Sequence, residues 1–138
     1  MSIAVAPALL DTDILSAIMR QQPAAMSRAR VYLAAHGHLT FSMMTRYEIL
    51  RGLYSKRATI QLGAFDQLCR VSEILPLTDA IVVRAASIYA DLHQRGVLIG
   101  DADILIAATA LEQKMAVVTN NDGHYQRIAN LSLENWLR

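Results

Sequence analysis

The sequence predicts an α/β domain, with helices packed on a mainly parallel sheet, and two observations carry that prediction. Short apolar runs alternate with longer segments whose apolar residues recur every three to four positions, the β-α-β-α order of parallel strands joined by crossover helices. The first run, Val5 to Leu10, has the composition of a strand buried on both faces in the middle of such a sheet.

That strand ends at Asp11. Ile14 to Arg20 reads as a short helix broken by Gln21-Gln22-Pro23, and Pro23 suits the first turn of a second helix. The apolar stripe expected on this helix is Met26, Val31 and Leu33 or Ala34, with an end near Gly37. Leu39 to Ser42 is a second strand, and Met43 to Lys56 a helix with Met44, Tyr47, Glu48, Gly52 and Ser55 on or near one face. Thr59 to Arg70 is another helix, with Ile60, Phe65 and Leu68 as its core residues. Ile74 to Leu77 is a short strand that Pro76 confines to an edge or to a strand end. Thr78 or Asp79 caps a helix running to Gln94, its inner face being Ile81, Ala85, Ile88 and Leu92, and Gly96 ends it. The acidic turn at Gly100 to Asp103 feeds a helix without a polar face, which must be buried. Ala116 to Thr119 is a fourth strand, followed by the polar run Asn120 to Tyr125, a short helix to about Ala129, a last strand near Leu131 to Leu133, and Trp136.

With 138 residues the chain forms one domain over 1–138, large enough to bury about two-thirds of its unfolded surface. No uncharged stretch reaches the roughly 18 residues of a membrane span. Met1 to Leu10 lack a basic start and a cleavage site, so a signal peptide is not expected and the cytoplasm is the expected location. Cys69 is the one cysteine, which excludes an internal disulfide, and its helical setting suits a small buried side chain better than a nucleophile. A net charge of +1 does not announce a nucleic-acid binder. Arg46, Arg51, Lys56 and Arg57 nevertheless cluster on one segment, either as a basic strip or as an ordinary solvated helix face.

Polar or acidic residues stand where apolar segments give way to helices: Asp11, Asp101 with Asp103, and Asn121 with Asp122. All strands of a parallel sheet end on the same side, so these groups should converge there, with Glu48 reaching them from its helix. Crowded carboxylates repel one another and raise each other's pKa, and a divalent cation is their natural compensator. Oxygen ligands alone select Mg²⁺ or Mn²⁺ over Zn²⁺, and His36, His38, His93 and His124 form no zinc set. A Gly-rich phosphate loop is missing as well. Plainer readings stand beside these: Asp11 or Asp13 as a helix cap, Glu48 as the surface partner of Arg51, and Asp101 as the N-cap of the buried helix.

The segments Leu10-Asp11-Thr12-Asp13-Ile14-Leu15-Ser16, Ser42 with Tyr47-Glu48-Ile49-Leu50-Arg51-Gly52, Ile99 to Ala108, and Val117-Val118-Thr119-Asn120-Asn121 resemble, in order, the successive motifs of PIN-domain proteins. Within that family the chain is most similar to VapC-type toxins of prokaryotic toxin–antitoxin pairs. The resemblance implies a PIN-like three-layer α/β/α sandwich and a metal-dependent endoribonuclease. Asp11, Glu48 and Asp103 are its principal acids, and Asn121 stands where many relatives have a fourth. It also implies homodimers and inhibition by a cognate antitoxin. Asp13 departs from the Asn common in relatives, and Asp101 or Asp122 could supply the charge that Asn121 lacks. On this reading Mg²⁺ or Mn²⁺ on the acids activates water at an RNA phosphodiester. Thr12, Ser42 and Thr119 are hydroxyls that orient carboxylates or water, and Arg46 and Arg51 hold the RNA backbone. The competing readings are a phosphatase or DNA nuclease on the same acids, and a non-catalytic metal-binding interaction module.

Overall fold

A computed structural model describes residues 4–138; Met1, Ser2 and Ile3, the start of the expected single domain and of the segment read for a signal peptide, lie outside the described residues. Among the described residues five strands form one sheet: β1 (Ala8–Leu10), β2 (Thr40–Ser42), β3 (Glu73–Leu75), β4 (Ala116–Val118) and β5 (Leu133–Glu134), in the order β3-β2-β1-β4-β5, with every pairing parallel. The seven helices among the described residues are α1 (Thr12–Met19), α2 (Pro23–His36), α3 (Met43–Ser55), α4 (Thr59–Arg70), α5 (Asp79–Gln94), α6 (Asp101–Gln113) and α7 (Asp122–Tyr125).

Strand residues alternate between faces, and this splits the core in two. Leu9 and Val117 pack with Ile81, Ala85 and Leu92 of α5 and with α6 on one side. Ala8, Leu10, Phe41 and Val118 pack with residues of α1 to α4 and with Trp136 on the other. The result is the expected three-layer α/β/α sandwich, with β1 at its centre and inaccessible to solvent. Among the described residues no helix is long and apolar enough to cross a membrane.

Caps set the helix starts. Gln22 accepts a bond from the Ala25 N–H ahead of Pro23, and Gly37 closes α2 at φ +80°, a conformation open to glycine. Thr78 accepts from the Ile81 N–H and so, rather than Asp79, is the cap of α5.

Four expectations need correction. β1 spans three residues, because Pro7 lacks the N–H a longer ladder would need, although its carbonyl still accepts from Ala116. The inner face of α2 is Ala25, Ala29 and Tyr32, leaving Val31 56% and Leu33 40% exposed. Small alanines let the helix approach the sheet closely, and the Tyr32 hydroxyl accepts from the Ala8 N–H. On α4 Phe65 is buried, whereas Ile60, in the first turn, is 85% exposed. At the sheet edges β3 begins at Glu73 and stops before Pro76, and β5 falls two residues later than expected.

Candidate active site

The carboxyl edge of the sheet gathers the acids. Asp11 directly follows β1 at the sheet centre, and its backbone N–H donates to the Val118 carbonyl at 2.9 Å. Its side chain caps α1 by accepting from the Thr12 N–H at 2.8 Å, and the Thr119 hydroxyl, just past β4, donates to its other oxygen at 2.8 Å. Asp11 is therefore a cap and a site acid at once. It is only 5% exposed. Burial, then the neighbouring Asp13, then Asp103, push its pKa up from 3.8 to about 7, against the lowering pull of the Thr119 and Thr12 hydrogen bonds.

Asp13 stands in the first turn of α1. Its Oδ2 accepts from the Asn120 N–H at 2.9 Å, while its Oδ1 is buried without a partner among the described residues. Burial raises its pKa too, with a further contribution from Asp103. Glu48 projects from α3, and its Oε1 accepts from the Thr12 hydroxyl at 2.6 Å. Its other oxygen lies 3.6 Å from the Arg51 guanidinium, so the expected i,i+3 pair exists, but the Glu48 side chain is only 18% exposed. A groove of about 490 Å³ opens here, lined by Thr12, Met19, Glu48, Leu53 and Leu68 among others.

Asp103 enters from the first turn of α6, where negative charge suits the helix dipole. Its Oδ1 accepts from the Tyr125 hydroxyl at 3.3 Å and its Oδ2 lies 3.0 Å from Nδ1 of His124. In the tautomer that carries its hydrogen on Nδ1, His124 donates to this carboxylate. Burial, reinforced by Asp11 and Asp103, drives the Tyr125 phenol far above its usual pKa, and the hydroxyl keeps its proton.

Thus Asp11, Asp13 and Asp103 come within electrostatic reach of one another, and Glu48 joins them through Thr12, the residue next to Asp11. Asp101 stands apart and is not the cap: Gly100 occupies that position without a side-chain bond, and Asp101 is the exposed first residue of α6. The Asn121 N–H donates to Thr119 Oγ1, and its side-chain amide lies 2.8 Å from His124 Nδ1. Asp122 opens α7, with one oxygen 3.5 Å from Arg138 and the other buried without a partner among the described residues. Ser42 caps α3 by accepting from the Thr45 N–H and meets no acid directly; Thr45 in turn contacts the Thr12 hydroxyl at 3.3 Å. The arginines diverge. Arg51 lies over the Tyr47 ring beside Glu48, whereas Arg46 turns to the Phe65 ring and to Cys69 Sγ, 3.0 Å away. Burial raises the Cys69 thiol above its usual pKa, which disfavours the thiolate. Asp13 is expected from sequence only as a helix cap, and His124 and Tyr125 in no site role; only the polar run after β4 signalled the last two.

Among the described residues no three acids, histidines or cysteines stand as a ready-made metal cage. The donor chemistry nonetheless suits a hard cation: oxygen ligands, an acid pushed toward protonation by burial and by its acidic neighbours, and a buried Asp13 oxygen left unpaired.

Fold and site together define an α/β protein whose acidic centre lies at the carboxyl edge of a parallel sheet. Residues 8–131 match the PIN domain, and the chain belongs to that family. It is similar to the ribonuclease VapC2 of Rickettsia felis, with 29% identity over 93% of this chain and 96% of the relative. It is also similar to a tRNA(fMet)-specific endonuclease VapC of Shigella flexneri, with 27% identity over 93% and 96%. Among solved structures, the VapBC2 complex of Rickettsia felis bound to a DNA fragment from its promoter contains a chain that superposes with a TM-score of 0.84, at 27% identity over 94% of this chain and 98% of that one.

Proposed function

We propose that this chain is a metal-dependent endoribonuclease, the toxin of a type II toxin–antitoxin pair, acting in the cytoplasm as a single domain over 1–138. The observation that carries the reading is the convergence of Asp11, Asp103 and Glu48 at the sheet edge of a PIN domain. Asp11, Glu48 and Asp103 would hold Mg²⁺ or Mn²⁺, with Asp101, Asn121 and Asp122 as lesser candidates. A cation bound there supplies Lewis-acid chemistry at an RNA phosphodiester.

The chain's own residues do the rest. Thr119 keeps Asp11 oriented and favours its ionised form, because a hydroxyl hydrogen bond stabilises the carboxylate. Thr12 holds Glu48, and Ser42 acts through Thr45 by capping the helix that carries Glu48. Arg51, exposed beside Glu48, offers its guanidinium to a phosphate, and Arg46, lying over the Phe65 ring, adds only its positive charge at a distance. The partner reading rests on relatives: the similar Rickettsia felis structure is a VapBC complex. A cognate antitoxin and a second copy of this chain are the partners proposed.

The test is cleavage of single-stranded and loop RNA by the purified chain, with Mg²⁺ or Mn²⁺ and then with EDTA. Cleavage should require the metal and vanish in Asp103→Asn. Full turnover in chelator, or turnover with Zn²⁺ alone, refutes the reading.

A further inference from the structure

A carboxylate on a helix is anchored through its backbone, yet its terminal torsion is soft, so the plane of its two oxygens is set by whatever grips them. Glu48 takes a hydroxyl bond from Thr12 at one oxygen, and Asp11 is held at both, by the backbone N–H of Thr12 on Oδ1 and the Thr119 hydroxyl on Oδ2. Asp103 is held at both oxygens by two consecutive side chains of α7, Tyr125 on Oδ1 and His124 on Oδ2. Tyr125 is wholly buried in the α5–α6 half of the core, so its hydroxyl cannot wander. Each carboxylate oxygen has two acceptor positions, so one donor on each still leaves room for a cation.

We propose that His124 and Tyr125 are positioning residues that clamp the plane of the Asp103 carboxylate in the orientation with which it receives the cation. This inference rests on the metal-dependent reading above. It makes α7, four residues long, the element that presets one ligand, and it ties the β4–α7 connection to metal affinity without placing either side chain on substrate.

The test is calorimetric titration of the full chain with Mn²⁺, comparing the parent with Tyr125→Phe, His124→Ala and Asp103→Asn, and with melts in EDTA to check folding. Tyr125→Phe keeps the buried ring and removes only the hydroxyl, and His124 has a partly exposed side chain that tolerates truncation. Partners that orient a ligand commonly contribute about 10- to 100-fold to metal affinity, so each variant should weaken Mn²⁺ binding by roughly 10-fold, with Asp103→Asn weaker still. A lowered melting temperature with the Mn²⁺ affinity within about twofold of the parent marks a merely structural role and overturns the inference while leaving the metal reading intact. If Tyr125→Phe does not fold, His124→Ala decides by the same criterion. A parent that binds no Mn²⁺, or an Asp103→Asn variant that binds it equally well, overturns the metal reading and this inference with it.

Discussion

Replacing Asp11 by asparagine keeps the shape of a buried capping side chain and removes its charge. Its pKa stands near 7 in the folded chain against an ordinary 3.8, so the native state holds a proton that the unfolded chain has released. The sign follows directly. As pH rises from about 4 to above 7 the parent loses stability, first because folding must take up that proton and then because the buried carboxylate ionises among acids. A rise of that size amounts to about 4 kcal/mol at full ionisation, as an upper bound. Asparagine escapes this cost but disturbs the Thr119 hydrogen bond, worth about 1 kcal/mol. In EDTA at pH 8, Asp11→Asn should therefore be more stable than the parent by about 2–3 kcal/mol, and the gain should vanish near pH 4. For a domain of this size that is a rise in Tm of roughly 6–10 °C. Mn²⁺ should raise the Tm of the parent far more than that of the variant, because only the parent keeps this ionised ligand. RNA cleavage should disappear. Thermal melts at the two pH values, with EDTA and with Mn²⁺, run beside the cleavage assay, measure all of this. A variant less stable than the parent by about 1 kcal/mol at both pH values, with metal response and turnover retained, would reduce Asp11 to a helix cap.

Other outcomes follow from the same contacts. Cleavage and Mn²⁺ affinity in the parent should fall as pH drops through about 7, because a protonated Asp11 cannot ligate; a pH-independent metal affinity from pH 6 to 8 contradicts this. Thr119→Val removes the bond that favours the Asp11 carboxylate and deprives the Asn121 N–H of its acceptor. Stability should drop by about 1–3 kcal/mol and the acid limb of the pH–rate profile should move to higher pH, both read from melts and initial rates. Arg51→Ala should weaken RNA binding and flatten its salt dependence, measured by fluorescence anisotropy at several salt concentrations. Arg46→Ala should instead act mainly on stability, through its lost stacking on Phe65, by about 0.5–1 kcal/mol, with little change in the salt slope.

Local chemistry carried much of the architecture into the sequence. The unbroken apolar run before Asp11, the Pro23 and Gly37 that bracket α2, the Thr78 cap and the apolar middle of α6 each announce themselves within a few residues. The order of strands and helices, and the gathering of Asp11 and Asp103 at one sheet edge, follow from parallel connectivity alone. Other features depend on partners far along the chain. The face α2 buries was chosen by Tyr32 reaching the backbone of Ala8, a contact that the periodicity of α2 does not contain. The two arginines of α3 look alike in sequence, yet Arg46 meets Phe65 and Cys69 from α4 while Arg51 stays beside Glu48. Thr119 and Asp11 are 108 residues apart, and the grip of His124 and Tyr125 on Asp103 crosses from α7 to α6. Residue type and spacing thus determined which acids end on one edge of the sheet. Only tertiary packing decided which hydroxyl, ring or unpaired oxygen each acid meets, because hydrogen-bond direction and burial are set by neighbours that the local sequence does not name.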